Sequence, residues 1–186
     1  WMSRLGLKTD GSANGVTVLR QGWGVEPLTE GQAACVSTMS YNEYWVVRDA
    51  GYSPEQLTVF KYQSEGAATL EDGLYVHEKN LSDAAFKDKM VRFVRASMKG
   101  WKYAEANPKE AAMIILDNDD AGVQTEKHQV RMMGEIAKLT AGSNGSLDPA
   151  DYERTVKVLM SGDSDPVITK KPSGAWTNEI TNAALN

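Results

Sequence analysis

The stretch at residues 16–39 reads VTVLRQGWGVEPLTEGQAACVSTM and decides the fold prediction. It begins with a β-branched run typical of a strand, Val16-Thr17-Val18-Leu19, and it ends with a second short apolar run at residues 35–39. Between the two runs, Pro27 suits the first turn of a helix that we expect to reach about Ala34. The stretch therefore predicts a βαβ unit.

The alternation continues beyond this unit. A helix carrying Tyr44 and Val47 is expected to close at Gly51, and residues 57–60, Leu-Thr-Val-Phe, follow as a third strand. Residues 74–76, Leu-Tyr-Val, add one more. Strands that alternate with helices predict an α/β fold whose mixed or parallel sheet is covered on its faces.

The rest of the chain predicts long helices. Apolar residues recur at spacings of three and four, and four of these helices have a recognisable start signal. The expected starts are Ser82, for a helix that reaches about Ala106, then Asn107-Pro108, Thr125 and Asp148-Pro149. A short final helix is expected at about residues 179–184.

Composition excludes several classes of protein. The net charge of −5 and the pI near 5.1 provide no basic surface for nucleic acid. No run of eighteen apolar residues occurs, so we predict no membrane span. With Cys35 alone, an internal disulfide and a cysteine-based metal site are both excluded.

Catalytic and metal-binding signatures are also missing from the sequence. His77 and His128 have no second histidine or cysteine at ligand spacing, and a histidine among charged residues on a helix is usually solvated. The segment Gly22-Trp23-Gly24 lacks the third glycine of a dinucleotide-binding loop, and there is no P-loop and no nucleophile elbow. We therefore predict no catalytic residue, no metal and no cofactor.

Two loops have the composition of a binding site. Ligands of open α/β sheets bind beyond the carboxyl ends of strands, where both loops are expected to lie. Aromatic faces, an amide and a carboxylate could together hold a flat, hydrogen-bonding molecule. The alternative is that the amide and carboxylate serve the first turn of a helix while the aromatic rings only pack. The predicted ligand-binding residues are Gln21, Gly22, Trp23, Tyr41, Asn42 and Glu43.

Several runs of the sequence resemble one family. These runs lie at residues 16–23, 37–45, 69–75, 93–101, 107–112 and 174–177. They are similar to the bacterial substrate-binding proteins of the nitrate/sulfonate/taurine and thiamine-pyrimidine-precursor class, whose fold is periplasmic-binding-protein-like, type II.

The resemblance implies a two-lobed protein that closes on a small ligand and delivers it to an ABC permease without chemistry. Residues 1–62 would form most of the second lobe, 63–72 a hinge crossover, and 73–186 the helix-rich return to the first lobe. It implies a periplasmic, or lipid-anchored extracytoplasmic, location. Because the first seven residues have the pattern of the middle of a helix, we expect the natural product to begin upstream. The missing strands would then favour self-association.

The sequence is compatible with more than one class of ligand and with more than one activity. A carboxylate at position 43 favours a thiamine-pyrimidine precursor or a similar nitrogen heterocycle, whereas the same class of transporter also binds sulfonates, taurine or nitrate. Eukaryotic relatives of the family are synthases of the thiamine pyrimidine that use pyridoxal phosphate, iron and a cysteine-rich motif, so an enzyme is the second hypothesis. A helical interaction domain is the third.

Overall fold

The computed structural model describes residues 2, 5–161 and 166–185 of the chain. Seven α-helices and two 3-10 helices, at Pro54–Gln56 and Glu78–Ser82, are found in these residues, together with extended and turn segments. The α-helices are α1 (Glu26–Thr29), α2 (Glu43–Asp49), α3 (Ala84–Ala106), α4 (Pro108–Asp117), α5 (Glu126–Thr140), α6 (Pro149–Leu159) and α7 (Glu179–Leu185).

The predicted α/β fold, with its mixed or parallel sheet in a periplasmic-binding-protein-like lobe, is wrong for this structure. The described ranges contain helices and no β-strand. The four segments expected to be strands, at residues 16–19, 35–39, 57–60 and 74–76, are neither helical nor part of a β-ladder. A β-branched run favours an extended backbone locally, but a strand exists only where a neighbour accepts its backbone hydrogen bonds.

These extended segments also leave large apolar side chains in contact with solvent. A sheet covered by helices on both faces would bury them. Instead, Tyr75 is 88% exposed, and its neighbours in the extended segments are exposed as well. The others are Val18, Leu19, Met39, Val59, Phe60, Leu74 and Val76.

The predicted helices of the second half of the chain are confirmed. The Thr125 hydroxyl accepts the backbone N–H of His128 at 3.3 Å and thereby caps α5. At α6, the Asp148 carboxylate accepts the N–H of Ala150 at 2.7 Å, and Pro149 occupies the first turn. Such side-chain acceptors satisfy backbone N–H groups that have no partner within the helix.

Two helix ends differ from the prediction. Helix α1 ends at Thr29 instead of about Ala34, because the chain turns through Gly31, whose φ of +72° suits glycine. Helix α3 begins after Asp83, whose carboxylate accepts the N–H of Ala85 at 2.8 Å. The expected cap, Ser82, lies at the end of the preceding 3-10 helix.

The described residues divide into two compact units. One comprises the described parts of Trp1–Leu19, Val59–Arg92 and Gly145–Asn186, and the other comprises Arg20–Thr58 and Phe93–Asn144. In the first unit, Asn178 exchanges two hydrogen bonds with the backbone of Leu147, at 3.0 and 2.9 Å. This pair joins the start of α7 to the loop before α6.

The second unit contains the main apolar cluster, where α4 packs on α5. Ala112 is fully buried, and Ala111 and Met133 are each 8% exposed. Small residues on α4 allow a close approach of the two helices, and Met133 fills the space between them. The partly buried residues packed around this cluster are Ala104, Ile115, Val130 and Ile136.

The sequence also predicts a helix over the first seven residues. Its residues Trp1, Ser3 and Arg4 lie outside the described residues.

Candidate functional site

The side chain of Gln21 joins the first loop predicted to bind a ligand to the segment that precedes the second loop. Its Nε2 donates to the carbonyl of Ser37 at 2.8 Å, and its Oε1 accepts the backbone N–H of Ser37 at 2.9 Å. Nε2 also lies 3.3 Å from the carbonyl of Gly24. The amide thus takes the place of a backbone partner for Ser37 and sets the loop at residues 21–24 beside the segment that leads to α2.

The indole of Trp23 stands clear of the rest of the described structure. It is 98% exposed and lies in a bend between Gly22 and Gly24. An exposed indole offers a flat apolar face and one N–H donor. Trp23 is therefore accessible for stacking on a flat molecule.

Glu43 is the first residue of α2, and its carboxylate turns back on the preceding loop. Oε2 accepts the backbone N–H of Met39 at 2.8 Å, and Oε1 accepts Nδ2 of Asn42 at 3.2 Å. A carboxylate in the first turn is also favoured by the helix dipole. The position of Glu43 in the first turn of α2 agrees with that part of the alternative interpretation. The two hydrogen bonds still leave acceptor capacity, because each carboxylate oxygen has two lone pairs.

Asn42 connects this carboxylate to helix α5. Its Oδ1 lies 2.8 Å from Nε2 of His128, which is 86 positions away in the sequence. Since Nδ2 of Asn42 faces Glu43, Oδ1 is the acceptor and His128 donates from Nε2. The sequence interpretation of His128 as a solvated histidine missed this contact.

Helices α2 and α5 are joined by a second set of contacts. The carboxylate of Asp49, near the end of α2, accepts Nζ of Lys127 at 3.0 Å and a guanidinium nitrogen of Arg131 at 2.9 Å. The guanidinium of Arg131 also lies over the ring of Trp45, at 4.9 Å from its centroid. Together these contacts keep α5 beside α2, where His128 reaches Asn42.

The Asp49 contacts predict a pH-dependent contribution to stability. Hydrogen bonds from Lys127 and then Arg131 lower the pKa of Asp49 below its ordinary value of 3.8. A lowered pKa adds stability above pH 3.8 that is lost as the pH falls through the folded-state pKa. The Asp49→Asn variant should therefore unfold more easily at neutral pH, by under about 1 kcal/mol because the pair is partly exposed.

Thermal unfolding at neutral pH and at a pH well below 3.8 measures this effect. The control is Asp88→Asn, which removes an exposed pair with Arg92 within helix α3 and should change the melting temperature less. A difference between wild type and Asp49→Asn that persists unchanged in acid would contradict the assignment.

The other two residues predicted to bind a ligand are Tyr41 and Gly22. Tyr41 is partly buried in the turn before α2, and Gly22 is exposed. Sequence reasoning missed Ser37, His128 and Trp45. No local signal could have identified His128, because its partner belongs to a distant part of the chain.

The site has the composition of a polar binding surface, with an exposed aromatic ring, an amide and an anchored carboxylate. Among residues 2, 5–161 and 166–185, no group of three His, Cys, Asp or Glu side chains could hold a metal ion. In the same ranges no helix is long and apolar enough to cross a bilayer.

Comparison with known protein families gives one match. The model of the NMT1/THI5-like family matches residues 2–111, more than half of the chain. The chain belongs to the NMT1/THI5-like family. Membership supports a general solute-binding role, and the matched range includes both candidate loops. No curated protein and no solved structure matches the chain.

Proposed function

We propose that the chain is the solute-binding component of an ABC importer and that it binds a small nitrogen heterocycle similar to a thiamine-pyrimidine precursor. The observation that carries the proposal is the carboxylate of Glu43, held in one orientation by Met39 and Asn42. The ligand would be handed to the permease outside the cytoplasm, in the periplasm or from a lipid-anchored position.

The charge of the site supports this class of ligand. An ionised carboxylate only accepts hydrogen bonds, so it pairs with amino groups and ring N–H groups. It repels an anion, and the repulsion grows where water is excluded. We therefore rank aminopyrimidines above sulfonates, taurine and nitrate as ligands of Glu43.

Aromatic stacking is the second element of the proposed site. Trp23 is exposed on the loop that Gln21 ties to Ser37. Stacking of a ring on an indole face favours flat ligands and depends little on their substituents. Selectivity would then depend mainly on the hydrogen bonds to Glu43.

A screen of ligand classes by thermal shift tests the proposal. A ligand at a hundred times its Kd stabilises the folded state by about 2.7 kcal/mol, whatever its chemistry. We expect 4-aminopyrimidine and its alkylated analogues to raise the melting temperature, and methanesulfonate, taurine and nitrate to leave it unchanged. Stabilisation by the anions alone would overturn the heterocycle, and no stabilisation by any of these compounds would overturn binding.

We further propose that the chain binds its ligand without converting it. The competing hypothesis is a thiamine-pyrimidine synthase that uses pyridoxal phosphate and iron. That enzyme class carries clustered cysteines, whereas this sequence contains one. Absorbance spectra recorded after addition of pyridoxal phosphate separate the two hypotheses, since a lysine Schiff base has its own absorption band.

A further inference from the structure

A chain of hydrogen bonds leads from helix α5 to the carboxylate of the proposed site. Nε2 of His128 lies 2.8 Å from Oδ1 of Asn42, and Nδ2 of Asn42 lies 3.2 Å from Oε1 of Glu43. Each link has one direction. His128 donates to the amide oxygen, and the amide nitrogen donates to the carboxylate.

We propose that His128 is a positioning residue that determines which hydrogen-bonding edge Glu43 presents to a ligand. This inference rests on the proposed function of Glu43. An asparagine amide has nearly the same shape in its two orientations, so its neighbours decide which one is stable. A donor at Nε2 of His128 holds the amide oxygen on the α5 side and therefore keeps Nδ2 on Glu43.

The opposite orientation of Asn42 would change the site. Its Oδ1 would then face the Glu43 carboxylate, and two acceptors at hydrogen-bond distance repel each other. The carboxylate would have to turn away from Asn42 or give up its contact with Met39. His128 thus stabilises one orientation of the Glu43 carboxylate. In this orientation the lone pairs that Met39 and Asn42 leave unused accept hydrogen bonds from the ligand.

The surroundings of His128 leave it suited to this role. Its backbone is fixed at the first turn of α5 by the Thr125 hydroxyl. Two neighbouring cations of the same helix, Lys127 and Arg131, are both paired with Asp49 of α2. His128 is partly buried, and so is its contact with Asn42, which is therefore less accessible to competing water than one at the open surface.

The first test needs no ligand. The chain has only two histidines, so His77, which is exposed and lies in the other unit, is an internal reference. Ring ¹⁵N chemical shifts at alkaline pH report the tautomer of each neutral imidazole. We expect His128 to be almost entirely the Nε2–H tautomer in the wild type and to shift in Asn42→Ala toward the mixture of tautomers that His77 shows, while His77 stays unchanged. A His128 signal that Asn42→Ala does not alter would overturn the inference.

The second test measures affinity for 4-aminopyrimidine by calorimetry. We expect His128→Ala to weaken binding about tenfold, which corresponds to about one hydrogen bond, and His128→Gln to recover part of the loss because its amide also offers an N–H donor. The control is His77→Ala, which should bind as the wild type does. Equal affinity of His128→Ala and wild type would refute the positioning role.

The two tests separate failure of this inference from failure of the proposed function. If the wild type binds no aminopyrimidine, the proposed function fails, and the ¹⁵N measurement still decides whether His128 orients Asn42. If the wild type binds and both His128 variants lose affinity equally despite unchanged circular dichroism, the donor at position 128 is not what matters.

Discussion

Replacing Met133 with alanine is expected to lower the free energy of unfolding of the helical unit by about 2–3 kcal/mol. Met133 is 8% exposed and packs between α4 and α5 against Ala111 and Ala112. These alanines cannot extend into the space left by the removed side chain. The loss therefore includes both the transfer of the thioether chain to water and the cavity that remains.

The matched control is Leu139→Ala, on the same helix but 60% exposed. Alanine is at least as good a helix former as methionine or leucine, so the difference between the two variants measures packing. Urea unfolding followed by circular dichroism gives both values, and hydrogen exchange of α4 and α5 confirms where the destabilisation lies. Equal losses for the two variants would show that the cluster is not the core of this unit.

Local sequence signals were sufficient for most of the helices. A cap at Thr125 or Asp148, a proline in the first turn and apolar residues at helical spacing are all properties of a few neighbouring residues. Helix α2 was also expected to close at Gly51, and its last residue is Asp49, two positions before this glycine with φ of +104°. These features could be predicted because the bonds that satisfy them form within one or two turns of helix.

The absence of a sheet could not be predicted from such local signals. The run at residues 16–19 has strand composition, and composition correctly predicts that it is not helical. Whether such a run becomes a strand depends on a second run that forms a β-ladder with it, and in the described part of the chain none of the four candidate runs belongs to a ladder. Periodicity carries no information on that second run.

The candidate site shows the same division between local and distant information. Both loops were predicted from their residue types, and a first-turn position for Glu43, which the structure shows, belonged to one of the two interpretations of its sequence. The contacts of Gln21 with Ser37 and of Asn42 with His128 span 16 and 86 positions. Side-chain pairs of that separation depend on how the helices pack, so the sequence alone did not indicate His128.

Replacing Glu43 with alanine is expected to weaken binding of 4-aminopyrimidine by ten- to a hundredfold. A hydrogen bond to a charged group contributes about 1.5–3 kcal/mol, and every 1.4 kcal/mol is about tenfold in Kd. Glu43→Gln should fall between alanine and wild type, because its amide oxygen can still accept from Met39 but its nitrogen opposes an amino group of the ligand. Calorimetry on the three proteins measures the series.

The matched control for charge is Glu71→Gln, an exposed carboxylate in the other unit, whose affinity should equal that of the wild type. Because Glu43 also accepts the Met39 N–H, weaker binding alone could reflect a distorted loop. The affinity for anions distinguishes a distorted loop from a lost contact with the ligand. If the carboxylate excludes them, Glu43→Gln should gain affinity for methanesulfonate while it loses affinity for the aminopyrimidine, whereas a distorted loop would lose affinity for both. The opposite changes of the two affinities in one variant are thus the result that only a recognition role for Glu43 explains.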